Sequence, residues 1–153
     1  MRNPTSRGRV RVLILLVSFA LVAVACRTPQ PLVDPPPIAA AESSAQTRAA
    51  ILRALIEGHY TVVSEEAGQI IARYGRSKWN MVVAVDYSNQ VAVRYVSSEN
   101  LEYGSNKGTP VIHPGYNKRV ERLARVIGTE ISIARAGDEL PPVAAPPPNA
   151  RPK

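Results

Sequence analysis

A single cysteine, Cys26, serves the whole 153-residue chain. No intramolecular disulfide can therefore form, and the folded part must hold together by burial alone. Histidine is almost as scarce: His59 and His113 are the only two, neither has an Asp or Glu at helical ligand spacing, and Cys26 lies far from both. That pattern gives no zinc or copper ligand set. No Gly-x-Ser-x-Gly elbow occurs, and Ser64, Ser77 and Ser88 sit in ordinary strand or turn contexts. The run Gly104-Ser-Asn-Lys-Gly-Thr lacks the spacing of a phosphate-cradling loop. Glu65 and Glu66 are adjacent, and neighbours on a strand point to opposite faces, so they do not converge on one substrate atom. The sequence thus offers no catalytic residue, no metal site and no cofactor motif, and a non-enzymatic role is expected.

What the chain does have begins at its N-terminus. Arg2, Arg7, Arg9 and Arg11 precede an apolar stretch from Val12 to Ala25, which closes on Ala23-Val24-Ala25-Cys26. That stretch is short for a hydrocarbon layer of roughly 30 Å, which takes about 20 residues to cross. A basic start, an apolar centre and small residues at the exit describe a secretory signal peptide over residues 1–25. With cysteine next, the arrangement resembles a bacterial lipoprotein signal. The resemblance implies that Cys26 is lipidated and becomes the mature N-terminus, attached to a membrane by several acyl chains. Because Arg27 is not acidic, the pattern resembles lipoproteins sorted to the outer membrane of a two-membrane bacterium. An uncleaved signal anchor is the alternative reading.

The leader also accounts for most of the net charge. The chain carries 19 Lys+Arg against 12 Asp+Glu, or +7. Removing the four leader arginines leaves 15 against 12, or +3, from Cys26 onward. A strongly basic chain would suggest nucleic acid as a partner. Once the leader is discounted, that expectation lapses.

Composition divides the remainder into a proline-rich tether over residues 26–44, a small domain over 45–136 and a second proline-rich, disordered tail over 137–153. From Arg27 to about Ser44 an extended tether would reach on the order of 50 Å, at roughly 3.1 Å per residue. Within the domain, Ile51, Leu52, Leu55 and Ile56 place an apolar stripe on a helix from Gln46 to Glu57, capped by Ser43 or Ser44 and ended by Gly58. Two strands, Tyr60–Glu66 and Gln69–Tyr74, flank a turn at Ala67-Gly68. Trp79, Met81, Val83, Val85 and Tyr87 alternate along a third strand, and Val91, Val93 and Tyr95 along a fourth. A three-residue turn at Ser88-Asn89-Gln90 pairs Tyr87 with Val91, Val85 with Val93 and Val83 with Tyr95, keeping the large apolar residues on one face. Residues 97–115 read as a polar loop. Val120, Leu123, Ile127 and Ile131 then mark a final helix from about Tyr116 to Ile133, interrupted by Gly128. The expected fold is α+β: a four-stranded antiparallel meander with an N-terminal and a C-terminal helix on one face, in the order α-β-β-β-β-α. The opposite face, with Asn80, Asp86, Ala92 and Arg94, is left open.

Binding candidates are few. Six tyrosines and one tryptophan remain after the only phenylalanine, Phe19, is lost with the leader. Trp79, Tyr87 and Tyr95 are assigned to the core. Tyr103 and Tyr116 flank the polar loop and are expected at the surface, where tyrosine suits interfaces and sugar-like ligands. Arg119, Arg122 and Arg125, with Lys118 nearby, form a basic set on the last helix that suits anionic lipid heads or acidic envelope polymers. The same arginines also suit a merely solvated helix face.

The segments Ser98-Glu-Asn-Leu-Glu-Tyr and Ile112-His-Pro-Gly-Tyr-Asn-Lys-Arg-Val resemble a pattern in small, uncharacterised bacterial envelope lipoproteins. In those an Asn-Leu-x-Tyr loop precedes an Ile-His-x-x-Tyr-Asn helix start. The resemblance covers roughly residues 48–131, together with the leader. It implies a lipid-anchored, periplasm-facing protein in a structural or adaptor role, with an envelope protein or peptidoglycan as partner. The other function the residues support is a module that binds an envelope glycan or anionic lipid. No catalytic or binding residue carries over. One structural expectation does: Asn100, Tyr103, His113, Tyr116 and Asn117 lock the loop to the helix by hydrogen bonds.

Overall fold

The structure, a computed structural model, describes residues 28–139. The leader, Cys26 and the C-terminal proline-rich segment lie outside the described residues. The fold is α+β, with two helices and two antiparallel sheets among the described residues. Its elements are β1 (Gln30–Pro31), β2 (Ile38–Ala39), α1 (Ser44–Glu57), β3 (Thr61–Glu66), β4 (Gln69–Arg76), β5 (Trp79–Asp86), β6 (Gln90–Glu99), β7 (Gly104–Asn106), β8 (Thr109–Ile112) and α2 (Pro114–Glu139).

Helix α1 starts where Ser43 takes an extended conformation and its hydroxyl accepts from the Gln46 amide at 3.2 Å. Gln46 reaches back to the Ser43 amide at 3.0 Å, which completes a capping box. Ala50, Ile51, Ala54 and Leu55 are buried, whereas Ile56 is exposed although it was counted in the apolar stripe. The β3–β4 turn needs Gly68 at φ +84, a backbone conformation that L side chains rarely adopt.

Strands β3 to β6 pair consecutively as an antiparallel meander. Val83 opposes Tyr95 and Val85 opposes Val93, the register set by the inward alternation. The extra residue Val96 then shifts the β5–β6 register, and its side chain is exposed. Ile70, Ala72, Met81, Val83, Val85, Val91 and Val93 share one core with α1 and with Tyr116, Val120, Leu123, Ile127 and Ile131 of α2.

The meander is wider than expected, because β2 adds a fifth strand beside β6 through Ile38 opposite Val91. The polar loop also folds: β7 and β8 form a hairpin about Lys107-Gly108, and β1 pairs with β8 to complete a three-stranded sheet. The last helix extends beyond Ile133 to Glu139.

The largest correction concerns the tether. Residues 30–41 are a strap bound to the body, with Leu32, Ile38 and Ala41 packed against the core and Pro35 buried. Proline lacks an amide donor but keeps its carbonyl, and a chain already restricted to extended conformations loses less entropy on docking. Gln30 and Pro31 oppose Ile112 and Val111, and the Leu32 amide donates to the Pro110 carbonyl at 2.9 Å. Asn117, only 8 % exposed, clasps the strap from α2: its Nδ2 donates to the Pro31 carbonyl at 2.8 Å, and its Oδ1 accepts from the Val33 amide at 3.3 Å. Farther along, Thr47 Oγ1 accepts from the Ala41 amide at 2.9 Å, and Arg135 donates to the Ala40 carbonyl.

Replacing Asn117 with Ala leaves two strap groups unpaired, at a cost on the order of 1–3 kcal/mol. The melting temperature should fall by several degrees, with faster hydrogen exchange at Val33; an unchanged melting curve would argue against the clasp. Gly128 lies inside α2, and a Cβ there would meet Ile38 Cγ2 at an ordinary 3.9 Å. Gly128→Ala should therefore stabilise the fold by about 0.5–1 kcal/mol, read as a higher melting temperature in a thermal scan.

Candidate functional site

Four cations gather where the end of the meander meets the first turns of α2. Arg76 comes from the end of β4, and Lys118, Arg119 and Arg122 from the helix. The three helical residues fall within one turn and a half, which brings them to neighbouring positions on one side. Arg119 lies over the Tyr74 ring, its guanidinium carbon 3.7 Å from the ring centroid. A cation over an aromatic face is held by the ring quadrupole, so this side chain is oriented rather than loose.

Arg119 and Tyr74 divide the region into two lobes, and both lobes are lined by Tyr74, Arg76, Arg119 and Arg122. The lobe beside α1 has a volume of about 380 Å³ and adds His59, Tyr60 and Glu57. The lobe toward the start of α2 has about 340 Å³ and adds Trp79, Leu101 and Lys118. Arg48, Arg53 and Arg94 are ion-paired elsewhere, with Glu65, Glu130 and Asp86. Arg76, Lys118, Arg119 and Arg122 form no ion pair among the described residues. Glu57 is the one carboxylate that lines either lobe.

Two phenols lie beneath the site. Tyr60 and Tyr116 have buried hydroxyls without a hydrogen-bond partner among the described residues. Burial raises the Tyr60 pKa, with the Arg119 charge opposing it. Burial raises that of Tyr116 as well, reinforced by the Asp34 carboxylate. Both groups therefore remain protonated donors at neutral pH. Taken together, the groove offers oriented positive charge and aromatic faces above these buried phenols, the chemistry that receives an anionic group carried on an apolar or ring-shaped body.

The expected site residues are distributed differently. Arg119 and Arg122 share the groove, but Arg125 lines a separate surface depression with Pro35, Pro36 and Ile38. Steps of three residues rotate by about 60° around a helix of 3.6 residues per turn, so Arg125 ends roughly 120° from Arg119. Tyr116 is fully buried and is corrected from surface candidate to core residue, edge-on to Tyr95 at 5.5 Å. Tyr103 is 51 % exposed and stacks on Tyr95 at 4.6 Å.

Trp79 moves the other way. It was assigned to the core and is 39 % exposed, packed on the His113 ring at 4.6 Å. It opens β5 beside a turn, against the first turn of α2 and not beneath the helical stretches that cover Val83 and Val85. Its place in the groove, like that of Tyr74 and Arg76, was missed; the signal available was the basic turn Arg76-Ser-Lys78 directly before an aromatic. The expected loop-to-helix lock is also rearranged. Asn117 holds the strap, Asn100 Nδ2 donates to the Lys78 carbonyl at 2.6 Å, and His113 Nδ1 accepts from the Gly115 amide at 3.0 Å. Cys26 lies outside the described residues, and among those described no three His, Cys, Asp or Glu converge as metal ligands.

Because the Tyr60 hydroxyl has no partner, Tyr60→Phe removes a buried polar atom without breaking a bond. Its melting temperature should equal or exceed that of the unmodified protein. A drop of several degrees in a thermal scan would reveal a bond that the structure does not contain.

No family model, curated protein or solved structure matches this chain. The groove is therefore read from its own geometry.

Proposed function

We propose that this chain is a lipid-anchored module of the bacterial envelope, non-enzymatic, that binds an anionic envelope component through the groove centred on Arg119. The carrying observation is the set of four basic side chains, without ion pairs among the described residues, around Tyr74 and Trp79. Basic groups left unpaired beside aromatic faces favour an anionic ligand, since charge-assisted hydrogen bonds are roughly twice as strong as neutral ones. The leader ending at Cys26 supports attachment through lipid, and the resemblance to small envelope lipoproteins supports the same location. Of the two roles open from the sequence, this geometry favours ligand binding over a structural adaptor. Lipid phosphate and acidic cell-wall polymer share the required chemistry.

Pelleting with purified peptidoglycan and with anionic vesicles tests the reading. The mature chain carrying Cys26→Ser, and so no acyl chains that insert into vesicles by themselves, should sediment with one of them at low salt, and binding should weaken as salt screens the charges. An Arg119→Ala/Arg122→Ala variant should lose about tenfold or more in affinity, since hydrogen bonds to charged groups contribute about 1.5–3 kcal/mol each. Arg125→Ala, outside the groove, should bind normally. Equal sedimentation of the double variant would refute a role for this groove.

A further inference from the structure

The strap limits how far the domain can stand from a lipid on Cys26. Gln30 is held opposite Ile112, and the next residues are clasped by Asn117. Only three residues lie between Cys26 and Gln30, and the four steps span at most about 14 Å even when fully extended. The strap cannot lengthen this reach without breaking the β1–β8 pairing and the Asn117 hydrogen bonds.

The chain also leaves the body at a definite place. Strand β1 runs antiparallel to β8, so the chain preceding Gln30 heads past Ile112 toward His113 and the start of α2. The His113 ring packs on Trp79, and a Cβ at Gly115 would lie 3.4 Å from the Trp79 ring. The exit thus points toward His113, the neighbour of Trp79, at the end of the fold that carries Arg76, Lys78, Lys118 and Arg122. All four of these basic residues are exposed. Four carboxylates oppose these cations and Arg119: Glu99, which accepts from Asn80 Nδ2 at 2.8 Å, Glu102, Glu57 in the groove and Asp34 of the strap near Tyr116. Positive charge remains in excess.

We infer that this end of the domain, with Trp79 at its centre, docks on the anionic surface of the same bilayer that holds the Cys26 lipid. The inference rests on the lipid-anchored reading above and names the membrane as the groove's anionic partner. An aromatic with an apolar body and a polar N–H suits the boundary between headgroups and acyl chains. Basic residues around it are drawn to anionic headgroups within a screening length of the surface. The two attachments reinforce one another, because the acyl chains hold a weakly binding surface at high effective concentration. The domain would then lie flat on its membrane, with the β7–β8 turn at Lys107-Gly108 directed away from the exit.

Trp79 is the only tryptophan in the chain, so its fluorescence reports this surface without interference. The full mature protein, purified from a bacterial membrane, would be reconstituted into vesicles of phosphatidylcholine alone or mixed equally with phosphatidylglycerol. Each composition would be prepared with and without acyl chains brominated near the headgroup. The expected result is a blue-shifted emission and at least twofold quenching in the anionic brominated vesicles, with little quenching in the zwitterionic ones. Lys78→Glu/Lys118→Glu, checked for native circular dichroism, should lose the quenching while remaining vesicle-bound through its lipid. Mass spectrometry of the N-terminal peptide separates two kinds of failure. An unmodified Cys26 would overturn the lipid-anchored reading and this inference with it. A lipidated Cys26 with unquenched Trp79, or quenching indifferent to lipid charge and to the double substitution, would overturn the docking alone.

Discussion

The side-chain amide of Asn117 joins parts of the chain that lie 84 and 86 residues apart, and the architecture at this end of the molecule depends on that join. One amide satisfies a donor and an acceptor on the strap that β-pairing alone leaves open. Because the amide is almost fully buried, its loss would strand polar groups where water cannot replace them. The strap then places Pro35, Ile38 and Ala41 over or beside the core and supplies both sheets with an additional edge strand. A segment whose composition suggests a spacer instead helps close the domain.

Behind the clasp, stability rests on apolar packing, since there is no disulfide to supplement it. The helices cover one face of the meander through Ile51, Leu55, Ile127 and Ile131, while β4 to β6 contribute Ile70, Val83, Val85 and Val93. Such burial is non-directional and contributes about 25 cal/mol per Å² of apolar surface. Direction comes from the polar devices at the margins: the Ser43–Gln46 capping box, the Gly68 turn and the Asn117 clasp. The outer face of the sheet is secured differently, by Asp86, which accepts from Gln69 at 2.6 Å and pairs with Arg94 at 3.2 Å.

The groove forms where the two helices and the meander diverge. Tyr74 packs against the core and tilts toward Tyr60, leaving its other face to Arg119. An arginine fixed on a ring loses less freedom when it meets an anion than one that samples solvent. This preorganisation distinguishes the site from Arg125, which shares the helix but has no such support. Proximity of the groove to the chain exit makes attachment and recognition two aspects of one surface in the function proposed here.

Much of the fold was legible from local periodicity. The capped first helix, the alternation of Met81, Val83 and Val85, the Tyr95–Val83 register and the stripe from Val120 to Ile131 all follow from patterns of 3.6 and 2 residues. Those patterns report which side faces apolar surroundings, and they require nothing distant. The strap, the β7–β8 hairpin and the groove were not legible in that way. Pro31 and Pro35 carry no periodic signal, Tyr116 and Trp79 exchange their expected surroundings, and Arg119 meets Tyr74 only when β4 and α2 come together. By itself the sequence determined the helices, the meander, the inward-facing residues and the lack of covalent reinforcement. Only the tertiary structure decided where the proline-rich segment lies and which cations share a groove, because both depend on contacts between residues far apart in the chain.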